Sequence, residues 1–238
     1  MKATKIEWTE STWNPTTGCT KISLGCENCY AERMAKRLQS MGNYKYRNGF
    51  KLTLHPQVLR KPYTWRNPRT VFVNSMSDLF HEEIPLKYIY KVFKVMNENR
   101  RHTFQVLTKR SDLVLEYSKY LPWSKNIWMG VTVECNQYTK RIGQLRQTNA
   151  FVKFVSFEPL LSEVEIIDLS EIDWIIVGGE SGPSARPIQK SWILDIKARC
   201  NLEGIPFFFK QWGGVNKKKT GRILEGKTWD EMPKVINK

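Results

Sequence analysis

Nowhere does this 238-residue chain carry an apolar run of the roughly 18 residues a membrane helix needs, so no spanning segment is expected. Its first residues, Met1-Lys2-Ala3-Thr4-Lys5, lack the apolar stretch of a secretory signal, which points to a cytoplasmic, reducing setting. No low-complexity tract or evident linker interrupts it, and a single domain over residues 1–238 is expected. Acidic residues are scarce: 23 Asp and Glu face 38 Lys and Arg, a formal charge of +15. Such an excess attracts polyanions, the plain alternative being a merely solvated surface. With 41% hydrophobic and 12% aromatic residues the chain is not a disordered one, and it is long enough to bury a full core.

Five cysteines are an odd number, and three of them, Cys19, Cys26 and Cys29, fall within eleven residues. That crowding suits metal binding better than a disulfide framework. The turn-forming run Trp13-Asn14-Pro15-Thr16-Thr17-Gly18 precedes them, and the spacing predicts a helix over Tyr30–Met41. A helix start offers free N–H groups and a positive dipole end to a negatively charged thiolate cluster. Three thiolates leave one iron of a [4Fe-4S] cube open, whereas a tetrahedral zinc needs a fourth ligand, for which His55, His81 and Cys135 are candidates. On spacing alone both remain open. Cys200 lies in a helical run with Trp192, Ile193 and Ile196, at spacings that put it on the apolar face as a small core residue.

From residue 51 onward a short apolar strand is repeatedly followed by one or two polar residues and then by a helical stretch. The strands are Val71–Val73, Phe104–Leu107, Ile127–Val133, Phe154–Phe157, Trp174–Val177 and Pro206–Phe209. Lys51–Leu54 and an N-terminal segment, Lys5–Trp8 or Thr12–Asn14, would add up to two more. The predicted helices are Leu86–Asn99, with Leu86, Ile89, Tyr90, Phe93, Val95 and Met96 marking its apolar face, then Ser111–Lys119, Gln137–Gln147 and Ser191–Leu202. This is a βαβ rhythm. The fold class expected is α/β, a full or partial (β/α) barrel of TIM type with six to eight parallel strands and outer helices, an open doubly wound sheet being the alternative. In both, ligands sit at the carboxyl ends of the strands. Ser75, Asp78, Thr108, Lys109, Glu134, Ser156, Glu158, Glu180, Lys210 and Gln211, with Gly178 and Gly179, would then share one rim. Any one of them taken singly reads equally well as a cap or turn residue.

Several longer blocks carry a resemblance. Trp13 through Cys19, Cys26-Glu27-Asn28-Cys29-Tyr30, Asn74 through Phe80, Leu107-Thr108-Lys109-Arg110, Phe157 through Leu161, Trp174 through Pro183 and Phe209-Lys210-Gln211-Trp212-Gly213 resemble a phage-associated, radical-SAM-like family of uncharacterised proteins. More distantly the chain is similar to the radical S-adenosylmethionine superfamily, although six residues separate its first two cysteines where that superfamily usually has three.

The resemblance implies a partial barrel whose Cys19, Cys26 and Cys29 hold a [4Fe-4S] cluster with S-adenosylmethionine on its open iron. It implies a 5′-deoxyadenosyl radical as product of sulfonium cleavage, and a low-potential electron donor of flavodoxin or ferredoxin type as partner. Ser75, Asp78, Thr108, Glu134, Ser156, Gly178, Gly179, Glu180 and Gln211 become candidates for cofactor binding, and Lys109, Glu158 and Lys210 for catalysis. Within these sets Thr108, Ser156 and Glu134 suit ribose and methionine groups, and Lys109, Arg110 and Lys210 suit a carboxylate or phosphate.

The substrate expected is a nucleic acid or nucleotide. Three basic groups could meet it: Lys217, Lys218, Lys219 and Arg222 in a loop near residues 215–222; Arg60, Lys61, Arg66 and Arg69; and Lys109 with Arg110. Trp65, Trp123, Trp128 and Trp212 could stack bases or simply pack the core. A zinc-stabilised nucleic-acid-binding protein without catalysis is the alternative function, and a host-directed phage factor that keeps the fold without turnover is a third.

Overall fold

Seven of the chain's short apolar runs lie side by side as parallel strands of one sheet, in an order that follows the sequence without reversal. The computed structural model describes residues 4, 6–165 and 168–234. The strands of the sheet are β1 (Ser11–Trp13), β4 (Thr70–Val73), β5 (Thr103–Thr108), β6 (Ile127–Thr132), β7 (Val152–Phe157), β8 (Trp174–Gly178) and β9 (Phe207–Gln211). Two further strands, β2 (Thr16–Thr17) and β3 (Thr53–Leu54), form a separate antiparallel ribbon. Because parallel crossovers are right-handed, an unreversed order sends every connection over the same face of the sheet. A doubly wound sheet needs a reversal and is thereby ruled out. The sheet curls into a half-barrel whose edges, β1 and β9, do not pair.

Two layers of side chains follow from the strands' period of two. The convex face packs Val71, Val106, Val131, Val155, Val177 and Phe209 against the helices. Helix α2 (Leu86–Glu98) buries Ile89, Val92, Phe93 and Met96 at helical spacing, while Tyr90, expected on that face, is 44% exposed. Helices α3 (Ser111–Tyr117), α4 (Lys140–Arg146) and α5 (Lys190–Glu203) complete the outer layer, with Cys200 fully buried in α5. The short α6 (Lys217–Thr220) ends the basic loop.

Among the described residues no helix packs on the concave face. It is filled by Trp8, Trp128, Phe154, Trp174, Ile176 and Phe208, with Trp8 and Trp128 each 6.0 Å from Trp174 between ring centroids. This aromatic layer closes the amino end of the lumen. Gly130 makes room for it, since a Cβ there would come within 2.4 Å of the Phe154 ring. The free edge of β9 is covered by the C-terminal segment, where Phe209 N–H donates to the Trp229 carbonyl at 2.9 Å.

Some expectations are corrected, and at the N-terminus the second of two candidate strands is the one formed. Lys51–Leu54 is no strand of the parallel sheet: Thr53 and Leu54 pair antiparallel with Thr17 and Thr16. Pro56, Pro62 and Pro68 follow it, and prolines forbid the crossover helix that a parallel strand would need. The N-terminal strand is Ser11–Trp13; of the other candidate, Lys5 lies outside the described residues and Glu7 and Trp8 form a turn. The helix expected over 137–147 is a 3-10 turn at Asn136–Tyr138 followed by α4. Trp65 and Trp128, each 3% exposed, are core residues and offer no ring face to a base, while the half-buried Trp123 and Trp212 pack against the helix-side core.

Among the described residues no helix is long and apolar enough to cross a membrane. Since the Gly130 position has no space, Gly130→Ala should destabilise the fold by about 2 kcal/mol, the cost of overpacking a tight core. Chemical denaturation measures this, and a second change, Phe154→Leu, should recover part of the loss.

Candidate active site at the carboxyl end of the half-barrel

The segment bearing the three cysteines leaves the carboxyl end of β1 and crosses the mouth of the half-barrel before entering α1 (Tyr30–Ser40). It is held at three places along the rim. Near β5, the Thr20 carbonyl and hydroxyl accept from Arg110 Nη2 at 3.3 and 2.8 Å. Near β6, the Ser23 hydroxyl donates to Glu134 Oε1 at 2.5 Å, and Leu24 N–H donates to the Tyr138 hydroxyl at 3.1 Å. Near β8, Asn28 Nδ2 donates to Glu180 Oε2 at 3.0 Å and Arg186 Nη2 to the Leu24 carbonyl at 2.9 Å. Gly25 sits directly on Glu134, where a Cβ would come 2.6 Å from its carboxylate.

Each anchor rests on the ion pair of a buried carboxylate, the arginine being buried too in the first two and half-buried in the third. Asp78 and Arg110 are 6% and 3% exposed. Asp78 accepts from the Thr108 hydroxyl at 2.6 Å, Lys109 N–H at 3.1 Å, Phe80 N–H at 3.0 Å and Arg110 Nη1 at 3.2 Å. Arg110 Nε reaches Glu82 at 2.8 Å. Burial opposes its charge, but Glu82, Asp78 and Cys19 together hold its pKa above the usual arginine value. Glu134 is inaccessible to solvent and is paired with Arg141 at 2.8 Å, with Lys109 Nζ at 3.5 Å. Glu180 receives Arg186 through Nη2 at 2.6 Å and through Nε and N–H at 2.9 Å; burial opposes its charge, yet these bonds hold its carboxyl below the usual range.

The expected rim residues therefore divide. Asp78, Thr108, Glu134 and Glu180 are engaged in fixing the loop, and the Thr108 hydroxyl, which gives its proton to Asp78 and accepts Arg110 N–H at 2.9 Å, has no proton left to donate to a ribose. Ser75 turns to Asn14 at 3.2 Å. Gly179 has a packing reason, since a Cβ would come 2.1 Å from the Trp212 carbonyl, whereas Gly178 lies beside Glu158 and Lys210. A second group stays open. Glu158 Oε1 takes Lys210 Nζ at 2.5 Å and Gln211 Nε2 at 3.0 Å, both on one oxygen. Ser156, fully buried on the concave face above Phe154, has a hydroxyl without a hydrogen-bond partner among the described residues. Arg141, Arg186, Ser23 and Asn28 do not follow a strand directly, and looking only behind strands misses them.

Burial and the Asp78 carboxylate push the Cys19 thiol up to about 11, against the pull of Arg110, whose Nη1 lies 3.4 Å from Sγ. Cys26 Sγ is 3.5 Å from the Ser23 hydroxyl. Cys29 lines an open cavity of about 270 Å³ with Lys21, Asn28, Glu32, Arg33 and Ser184. Among the described residues no three His, Cys, Asp or Glu side chains are gathered so as to hold one metal ion. A single tetrahedral zinc with Zn–S near 2.3 Å would need sulfurs about 3.8 Å apart. Three thiols carried on one loop are a donor set whose chemistry suits three irons of a cluster, or a zinc ion completed by a fourth ligand.

The candidate fourth zinc ligands have other partners here, that of His81 being Thr20 in the cysteine loop itself. His81 Nδ1 accepts Glu83 N–H at 3.2 Å, which leaves Nε2 to donate to the Thr20 hydroxyl at 3.0 Å. His55 Nε2 bonds the Thr17 hydroxyl at 2.8 Å, and Cys135 packs against the helix-side core.

Over residues 3–233 the chain matches the model of a family described as protein of unknown function (DUF5131). No curated protein matches it. Two solved structures of spore photoproduct lyase are similar. One, a doubly substituted form with bound AdoMet and dinucleoside spore photoproduct, has 10% identity and a TM-score of 0.46; the match covers 78% of this chain and 59% of that one. The other, complexed with dinucleoside spore photoproduct, has 11% identity, the same coverage and a TM-score of 0.43. The chain spans about three fifths of the length of those structures, and at this distance the likeness carries nothing about activity.

Removing the charge partner of a buried carboxylate leaves it uncompensated. Arg141→Met should thus cost about 3 kcal/mol in denaturant unfolding. It should also expose the segment 20–28 to limited proteolysis more than a surface change such as Lys140→Met does.

Proposed function

This chain belongs to the DUF5131 family of proteins of unknown function, and we propose that it is a radical S-adenosylmethionine enzyme whose Cys19, Cys26 and Cys29 hold a [4Fe-4S] cluster. The observation that carries the reading is the three-thiol loop strapped over the carboxyl end of a parallel half-barrel, where ligands of such sheets bind. A cluster bound there by three cysteines would keep one iron for S-adenosylmethionine and supply the electron that cleaves it to a 5′-deoxyadenosyl radical. A low-potential donor of flavodoxin or ferredoxin type would deliver that electron.

The chain's own residues have narrower tasks. Arg110, donating to Cys19 and both Thr20 oxygens, orients the first thiol and offsets negative charge on a thiolate. Glu134 with Arg141, and Glu180 with Arg186, keep the loop in place. Glu158 Oε2 and the Ser156 hydroxyl are the rim and lumen groups left to receive ammonium or hydroxyl donors of a bound molecule, and Lys210, held by Glu158, presents a cation for a carboxylate. The aromatic layer beneath excludes water from the amino end of the lumen.

Anaerobic reconstitution should load about four irons per chain. Cys19→Ala, Cys26→Ala and Cys29→Ala should each lose the cluster, and Cys200→Ala should keep it. The reduced wild type should convert S-adenosylmethionine to 5′-deoxyadenosine. One tightly held zinc without iron, or full iron retention in Cys26→Ala, would overturn the proposal in favour of the zinc-stabilised binding protein.

A further inference from the structure

Between Glu32 and Asp78 the chain contains no acidic residue, yet residues 33–77 hold ten Lys and Arg. That one segment supplies ten of the fifteen net positive charges; the rest of the chain carries 28 basic against 23 acidic residues. Among the described residues few of these charges are spent on ion pairs. Lys36 pairs with Glu32 and Arg33 donates to the Ser181 carbonyl. Arg37, Lys45, Arg47, Lys51, Arg60, Lys61 and Arg66 are exposed, and none of them pairs with a carboxylate among the described residues.

The cations are also crowded. Lys45 titrates below its usual value, through burial first and then the nearby Lys61, and Lys45 and Arg47 both lie close enough to His55 to depress it after burial does. Like charges gathered without counter-charge cost stability in the free protein, and a polyanion relieves that cost. The segment offers an aromatic surface too: Tyr44 is 71% exposed and the Arg47 guanidinium sits 4.3 Å from its ring centroid. By contrast the C-terminal basic loop is partly spent, with Lys217 on Glu7 at 3.0 Å and Arg222 paired with Asp230.

The basic segment is joined to both ends of the cysteine loop. It starts in α1, directly after Cys29, and returns to Cys19, whose N–H donates to the Phe50 carbonyl at 3.2 Å. Gly18 lies so close to Lys51 that a Cβ would come 2.2 Å from its carbonyl oxygen.

We propose that residues 33–69 form a docking surface for a single-stranded or locally unpaired nucleic acid, with Lys45, Arg47 and Lys61 on its phosphates and Tyr44 under a base, which leads the strand to the mouth crossed by the cysteine loop. The binding half stands on the surface alone; that the strand is also the substrate rests on the radical-enzyme reading. Positive grooves with aromatic platforms hold single strands largely without regard to sequence, and each phosphate contact adds about −0.7 to the slope of log affinity against log salt.

Fluorescence anisotropy with labelled DNA and RNA strands of about 16 nucleotides, at about 50 and about 200 mM salt, tests the surface. Replacing Lys45, Arg47 and Lys61 together by Gln should weaken binding at low salt at least about tenfold and reduce the slope by about 2. Tyr44→Ala should weaken it about tenfold with the slope unchanged. Lys217, Lys218 and Lys219 changed together to Gln should matter little. Circular dichroism checks that each variant is folded. The relative affinities of the two strands distinguish DNA from RNA.

No binding by the wild type at low salt, or equal binding by the Lys45/Arg47/Lys61 variant, would overturn the proposal. So would tighter binding to phosphatidylserine vesicles through the same residues, which would make this a lipid-facing surface. Strand binding that survives Cys26→Ala while iron and 5′-deoxyadenosine are lost separates the surface from the chemistry. If the strand is the substrate, it should raise 5′-deoxyadenosine formation by the wild type and not by the Lys45/Arg47/Lys61 variant. A wild type that binds the strand and makes 5′-deoxyadenosine at a rate indifferent to it would overturn the substrate half alone.

Discussion

Glu134 has no solvent to share its charge with, and much of the site depends on how that charge is satisfied. An unpaired carboxylate in such a place is untenable, whereas one held by Arg141, Lys109 and a hydroxyl is rigid. The hydroxyl belongs to Ser23, midway between Cys19 and Cys26, so the same carboxylate that ties strand β6 to helix α4 also ties the cysteine loop to the sheet. Gly25 follows from this contact, because no side chain fits between loop and carboxylate. The pairs Asp78–Arg110 and Glu180–Arg186 do the same work at the two flanks.

The architecture was legible in the sequence because its signals are local. Apolar runs such as Phe104–Leu107, closing on a polar residue, require nothing beyond the strand period and a following amphipathic stretch. Six of the seven parallel strands were readable in this way, and β1 was narrowed to two segments. The error at Lys51–Leu54 has the opposite character. Its apolar content resembles a strand, but the three prolines after it were the stronger signal, and they belong to a connection rather than to a βαβ unit. Tyr90 shows the same limit within a helix, where spacing alone does not say which edge of an apolar stripe faces solvent.

The site was legible as a rim and not as a network. Residues directly behind strands can be found by counting, and Asp78, Glu134, Glu158, Glu180 and Lys210 were. Their partners come from elsewhere: Arg141 from the first turn of a helix, Arg186 from a loop, Ser23 and Asn28 from the cysteine loop itself. Those pairings are separated by up to 152 residues, as Asn28 and Glu180 are, and no local pattern announces them. The consequence for roles is large, since the partners decide which carboxylates are already neutralised. Of four rim carboxylates, only Glu158 keeps an oxygen without a hydrogen bond among the described residues.

What orders the cysteine loop also bears on what the cysteines are for. In a structural zinc site the metal supplies folding free energy, and without it the ligands have little else to gather them. Here most of the fastenings are made by Thr20, Ser23, Leu24 and Asn28, and of the thiols Cys19 alone receives a donor from the rim, Arg110. The thiols hang from a frame that would stand without them. A loop fixed in that way suits the proposed cofactor, because ligands carried on a supported frame can be held in a set orientation. It is the poorer design for a metal whose task is to hold the fold together, because the fold at this place is already held.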